Sequence, residues 1–394
     1  MQMKYENTYN NNISEENRLT EKNNNLNNLI KNTKKRNSSI ELLRLILITL
    51  IVLHHIFINT TSLQKLNKTN YKYLLNLKYI LLKIISNYGQ FGNNVFIMIS
   101  GYFSVTKTTF NLNKFFNFLL EIYTYYYPSL YIGKKLSKKY KKFIFPNYSN
   151  FRIYFPILSL NGNWFIQIYL VLLIFTPFIN TGLLSLKKTK YRILVILIII
   201  FYCIFEPIVN FYNFKSIIFT NTPFIRLLLS YIIGGYIKIY DLEYKYLWKL
   251  IGISYFIITI LFEIIFDILA FHFNNYNYIL FNINLSFNIN SLISIIGSIG
   301  IIYLFKNISF YNNKINWISA SILGVYLIHG NKNISPYIYN IWYKTNITDS
   351  YFFIKYITKG IIILSFSIIL DIIRRYTIGL LINLFLLKIM KINY

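Results

Sequence analysis

The sequence predicts an all-α protein, a polytopic membrane bundle of about ten spanning helices in one domain. Three observations carry that expectation. Of 394 residues, 55% are hydrophobic and only 14% charged, where a soluble domain has about a quarter charged. The apolar residues gather in repeated stretches of roughly 20, the length a helix needs to cross the hydrocarbon core. Runs such as Tyr191 to Phe205 (YRILVILIIIFYCIF) lack the alternation that the strands of a membrane barrel require.

Taken in order, the spans fall at 40–59, 78–103, 112–132, 163–183, 191–210, 220–240, 247–270, 286–305, 317–342 and 354–375. Residues 1–38, rich in Asn, Glu and Lys without apolar periodicity, read as a disordered cytoplasmic tail. Residues 39–394 form the membrane domain. No small-residue cleavage site follows the first run, so it is expected to stay as an anchor. The second and ninth runs are long for one plain helix and contain Gly, Asn or Pro. Both are expected to be broken or partly re-entrant.

The formal net charge is +28, from 41 Lys and Arg against 13 Asp and Glu. These cations sit mostly between apolar runs, where they meet lipid headgroups and set topology, so nucleic acid is not the expected partner. Lys31, Lys34, Lys35 and Arg36 precede the first span. Lys187, Lys188, Lys190 and Arg192 follow the fourth, and Arg374 and Arg375 close the tenth. In a ten-span model all of these face the cytoplasm of a multi-pass cell-membrane protein, as do both termini. Lys134 to Lys142 (KKLSKKYKK) would lie on the opposite side, which implies either a missed span or a loop folding back. The single Cys203 has no second Cys for a disulfide or a metal pair and reads as inert core.

Ionisable groups inside apolar spans are costly and mark functional sites by default. Glu41, Arg44, His54 and His55 all lie in the first span. At about 100° per residue, Arg44 and His55 differ by only ~20° around the helix over ~16 Å of rise, whereas His54 turns ~80° aside. Glu41, one turn before Arg44, is close enough to pair with it. The competing reading is a structural polar stripe. Asn94, Ser100 and Gly101 suit a tightly packed, polar-lined helix. Trp164 opens the fourth span, where an interfacial anchor is its default role, and Tyr169 lies within that span. His329 is a third intramembrane histidine, while His272 follows a span and reads as uninvolved. Glu263 and Asp267 form either a separate polar site or a helix end. No glycine-rich phosphate loop, paired-Cys zinc pattern or Gly-x-Ser-x-Gly elbow is present, and no metal site is expected.

At these residues the chain resembles the acyltransferase family 3 of integral-membrane O-acyltransferases. SSIELLRLILITLIVLHHIF (Ser38 to Phe57) is similar to the family's first helix, with an acid, an Arg three residues later, and a His after ten more. Glu41, Arg44 and His55 fill those positions. FGNNVFIMISGYF (Phe91 to Phe103) is similar to the second-helix block, with Asn94 where many members carry Asp. NWFIQIYLVLLIFTPFIN (Asn163 to Asn180) is similar to the Trp-Phe, Tyr and Pro block, and SILGVYLIH (Ser321 to His329) to the late Tyr-Leu-x-His block. Where many members carry an Arg-rich stretch entering the third helix, FNLNKFFNFLLEIY offers only Lys114 and Glu121.

The resemblance implies transfer of an acyl group, usually acetyl, from acetyl-CoA or another acyl-CoA used as co-substrate. The acceptor it implies is a sugar hydroxyl of a surface polysaccharide or a lipid-linked precursor in the cell envelope. It implies that His55, Arg44 and Glu41 act at the reaction, and that Asn94, Ser100, Trp164, Tyr169, His329 and Lys114 line the substrate or donor pocket. The alternative reading is a transporter or flippase of a lipid-linked glycan, in which internal repeats are expected and none is seen.

Overall fold

The computed structural model describes residues 37–60, 77–140, 164–205, 223–275, 277–288, 291–340 and 351–382. The expected tail, 1–38, falls almost wholly outside them. The described residues are helical, with no strand among them. The long helices are α1 (Ser38–Thr60), α2 (Leu77–Ser104), α3 (Leu112–Tyr140), α4 (Trp164–Leu184), α5 (Lys188–Ile199, ending in a wider turn to Phe205), α6 (Pro223–Tyr240) and α7 (Lys245–His272). The short α8 (Asn277–Asn282) leads through another wide turn into α9 (Leu292–Lys306). Three short helices follow, α10 (Asn313–Ser319), α11 (Ile322–His329) and α12 (Ser335–Asn340), and then α13 (Phe352–Tyr376). Five stretches are long and apolar enough to cross a bilayer: Ser38–Asn59, Trp164–Leu184, Lys245–His272, Leu285–Lys306 and Phe352–Ile382.

Two details depart from the sequence reading. The second run is one uninterrupted helix, α2, in spite of its glycines. They serve close packing: a Cβ on Gly101 would lie 2.1 Å from the Tyr231 carbonyl oxygen, and one on Gly234 2.0 Å from that of Met98. Without those side chains the backbones of α2 and α6 can touch. Lys134 to Tyr140 is not a loop. It continues α3, whose 29 residues end on this basic stretch. Residues 141 and 142 lie outside the described set. The ninth run is broken as expected, into α10, α11 and α12.

Helix α1 is the axis of the bundle. Ile51, Val52 and Ile56 pack into a core with α3, α4, α11 and α13. Ile40, Leu43 and Leu47 belong to a second core built with α2, α6, α7 and α9. The start of α1 is fastened to the α9–α10 turn: Ser38 N–H donates to the Phe310 carbonyl at 3.0 Å, and Ser39 Oγ to that of Phe305 at 2.6 Å.

At the same end, Asp241 links α6, α7 and α9. Partial burial pushes its carboxyl up, but hydrogen bonds from Lys306, Tyr303, Lys245 and the Leu242 N–H outweigh this and hold it well below the usual carboxylate range. Lys306 Nζ approaches Asp241 at 2.6 Å and Lys245 Nζ at 2.9 Å.

Candidate active site

The polar stripe of α1 is divided between two ends. At the first end Arg44 Nη1 pairs with Glu41 Oε2 at 3.2 Å, and the same oxygen accepts a 2.7 Å hydrogen bond from Ser319 Oγ. Glu41 is therefore a buried tie between α1 and α10, whereas the Arg44 side chain remains 31% exposed. Arg44 faces a cavity of about 570 Å³, within the usual range for small-molecule sites, whose walls come from α1, α2, α3, α4 and α11. Ser100, Lys114 and Tyr169 line it with Arg44, and so do Asn93, Asn117 and Glu121. A smaller adjoining cavity adds Ser104, Lys107 and Thr109.

The turn that carries this rim is held in place. Asn180 Nδ2 donates to the carbonyls of Ser104 and Lys107, both at 2.6 Å, and its Oδ1 accepts from Tyr231 at 2.9 Å. Asn111 Oδ1 then accepts from the Lys114 N–H at 2.8 Å. This caps the start of α3 and fixes Lys114 at the cavity edge.

At the other end of the stripe, the rings of His55 and His329 lie 5.0 Å apart. His329 is fully buried, and its Nδ1 meets the Val325 carbonyl at 2.6 Å. His54 turns away, as helical phase requires, and its Nδ1 meets the Ser86 carbonyl on α2 at 2.8 Å. Between cavity and histidines stands an aromatic wall. Phe165 and Tyr326 both line the cavity with ring centres 5.5 Å apart, and Tyr326 also stands edge-on to His329 at 5.7 Å. Neither His55 nor His329 lines the cavity itself.

Besides His329, two of the expected pocket residues lie outside the cavity. Asn94 is fully buried, joining α2 to Ser294 of α9 at 3.0 Å and to Ser230 of α6 at 3.2 Å. Its amide satisfies helix contacts, so it does not reach the cavity. Trp164 packs beside Ile97, Ile168 and Leu227, and its ring meets Phe165 rather than the cavity.

With this geometry in view, comparison with known families is decisive. A family model described as acyltransferase domain, that of acyltransferase family 3, matches residues 37–373. The chain belongs to that family. No curated protein and no solved structure matches it.

The sequence reading left open the partners of other buried polar groups of this acyltransferase. Glu263 and Asp267 are not a helix end. Both are fully buried in α7 and form an ion-paired cluster with Lys83 of α2, and Glu263 also accepts from Asn282 at 2.7 Å. Lys83, a cation within an apolar run, was the available signal. Arg374, read only as a topology marker, bonds Glu121 at 2.9 Å and Asp371 at 2.8 Å, while Tyr125 donates to Asp371 at 2.6 Å. Lys359 is buried against α12, donating to the Tyr339 carbonyl.

Proposed function

We propose that this acyltransferase moves an acyl group, acetyl first among the candidates, from acyl-CoA to a sugar hydroxyl of a surface polysaccharide or its lipid-linked precursor. The observation that supports it most is the Arg44-lined cavity. It leads towards the histidine pair and stops at the ring of Tyr326, which touches His329. Its rim carries Arg44, Lys107 and Lys114, cations suited to the phosphates of CoA. Helical rise separates Arg44 from His55 by ~16 Å, a span for the extended pantetheine arm. In this reading the rim faces the cytoplasm, as do both termini, and transfer takes place towards the outer leaflet.

A hydroxyl is a poor nucleophile at neutral pH and needs a base, and imidazole titrates near neutrality. As the sugar oxygen bonds to the thioester carbonyl carbon, His55 takes the hydroxyl proton. When the C–S bond breaks, His55 returns that proton to the departing thiolate. Ester and free CoA are the products. Glu41 holds the Arg44 side chain in place, and Arg44 meets the anionic donor.

The test uses sealed vesicles holding the full chain, with acetyl-CoA on one side and glycan acceptors present. Free CoA thiol should appear only when acetyl-CoA is supplied on the cytoplasmic side, and Arg44→Ala should raise KM for it. A folded protein that binds no acyl-CoA would overturn the reading.

A further inference from the structure

His329 has one nitrogen engaged and one bare. A carbonyl can only accept, so the 2.6 Å contact with Val325 puts the proton on Nδ1. Nε2 therefore presents its lone pair, in a ring with no solvent exposure, and it has no hydrogen-bond partner. An unsatisfied buried acceptor is costly, so it calls for an occupant. The nearest ring is His55, at 5.0 Å between centres with a 45° tilt. Among the described residues the His55 ring makes no hydrogen bond of its own. That spacing leaves room between facing nitrogens for one hydrogen-bond length of about 2.7–3.2 Å, not for the two that a bridging hydroxyl would need.

We infer that His329 is the positioning residue of the transfer, its Nε2 accepting a hydrogen bond from the ring N–H of His55 during turnover. The inference rests on the reading of His55 as base. A His55 nitrogen turned towards His329 Nε2 comes within that length. With one His55 nitrogen committed as donor, the other must carry the lone pair that takes the acceptor's proton. Once His55 is protonated, the N–H facing His329 becomes a charge-assisted donor, which favours the protonated intermediate over the resting ring. The backbone keeps His329 itself in register: α11 ends on it, and its carbonyl accepts from Tyr339 Oη at 3.0 Å.

Two measurements on the full chain in lipid bilayers separate this from the proposed activity. The first is independent of turnover. In protein carrying ¹⁵N-labelled histidine, solid-state NMR at a pH where His55 is protonated should show the His329 Nε2 resonance at a hydrogen-bonded acceptor position. His55→Leu should move it to the free-imidazole position. An unchanged resonance would overturn the inference whether or not the protein turns over acetyl-CoA.

The second measurement is kinetic. His329→Leu should lower kcat by about 10²-fold with KM for acetyl-CoA unchanged, and should shift the acid limb of the pH profile. His329→Gln, which keeps an accepting atom, should recover much of the loss. A well-inserted His329→Leu variant with wild-type kcat and pH profile would overturn the positioning role. A wild-type protein that never releases CoA, together with the expected NMR shift, would instead overturn the acyl-CoA reading alone.

Discussion

Replacing Lys83 by Met should destabilise the bundle more than removing the whole ionic cluster around it. Lys83 is 3% exposed, and Glu263 and Asp267 are fully buried. The three carry a formal charge of −1 if both acids are ionised, and Lys83 bridges them. Lys83→Met leaves two carboxylates facing each other in an apolar interior, where breaking a buried pair costs about 3–5 kcal/mol. That corresponds to about two to nearly four powers of ten in the folding constant. Asn87 and Asn282 donate to Glu263 at 3.3 and 2.7 Å, so one acid retains partners and the lower half of the range is expected. The triple variant Lys83→Met, Glu263→Gln, Asp267→Asn removes every charge at similar volume and should regain most of the loss. Unfolding of the purified variants in mixed micelles, followed by tryptophan fluorescence, measures both quantities. A Lys83→Met protein as stable as wild type, or a triple variant less stable than the single one, would refute the reasoning.

Two further outcomes follow from neighbouring geometry. His55→Ala should abolish transfer while His54→Ala, which loses its tie to Ser86, should keep substantial activity at equal insertion; CoA-release rates distinguish them, and an inactive, well-inserted His54→Ala would mean that α1 presents a different face. Because the Asp241 carboxyl is held below its ordinary range, its contribution to stability is full above the unfolded carboxylate value of about 4 and is lost as pH falls further. Asp241→Asn should therefore flatten the acid side of the melting-temperature profile, and an unchanged profile would remove Asp241 from that account.

The helices were legible because burial in lipid leaves few sequence options: long apolar runs have no other stable backbone. The shared face of Arg44 and His55, and the turning aside of His54, were legible because helical phase depends only on residue spacing. Partners distant in sequence were not. Nothing along the chain ties Lys83 to Glu263, or Glu121 to Arg374, since these pairs exist only once α2 meets α7 and α3 meets α13. The helix partners of Asn94 were hidden for a related reason, because an amide suited to a pocket is equally suited to joining three helices. The broken ninth run announced itself through its Gly, Asn and Pro, yet the same signal failed in α2, where glycine permits close approach rather than a break.

Tyr326 has a consequence for fidelity. An enzyme that holds an activated ester near water risks spending it on hydrolysis. The ring of Tyr326, backed by Phe165, ends the cavity before the imidazoles, so water that fills the open side meets a hydrophobic stop instead of a base. In the proposed reaction, leakage would depend on how well two aromatic rings close rather than on how reactive His55 is. On the proposed acyl-CoA reaction, the cell's loss of thioester to futile turnover would be set by a packing contact, apart from the chemistry it protects.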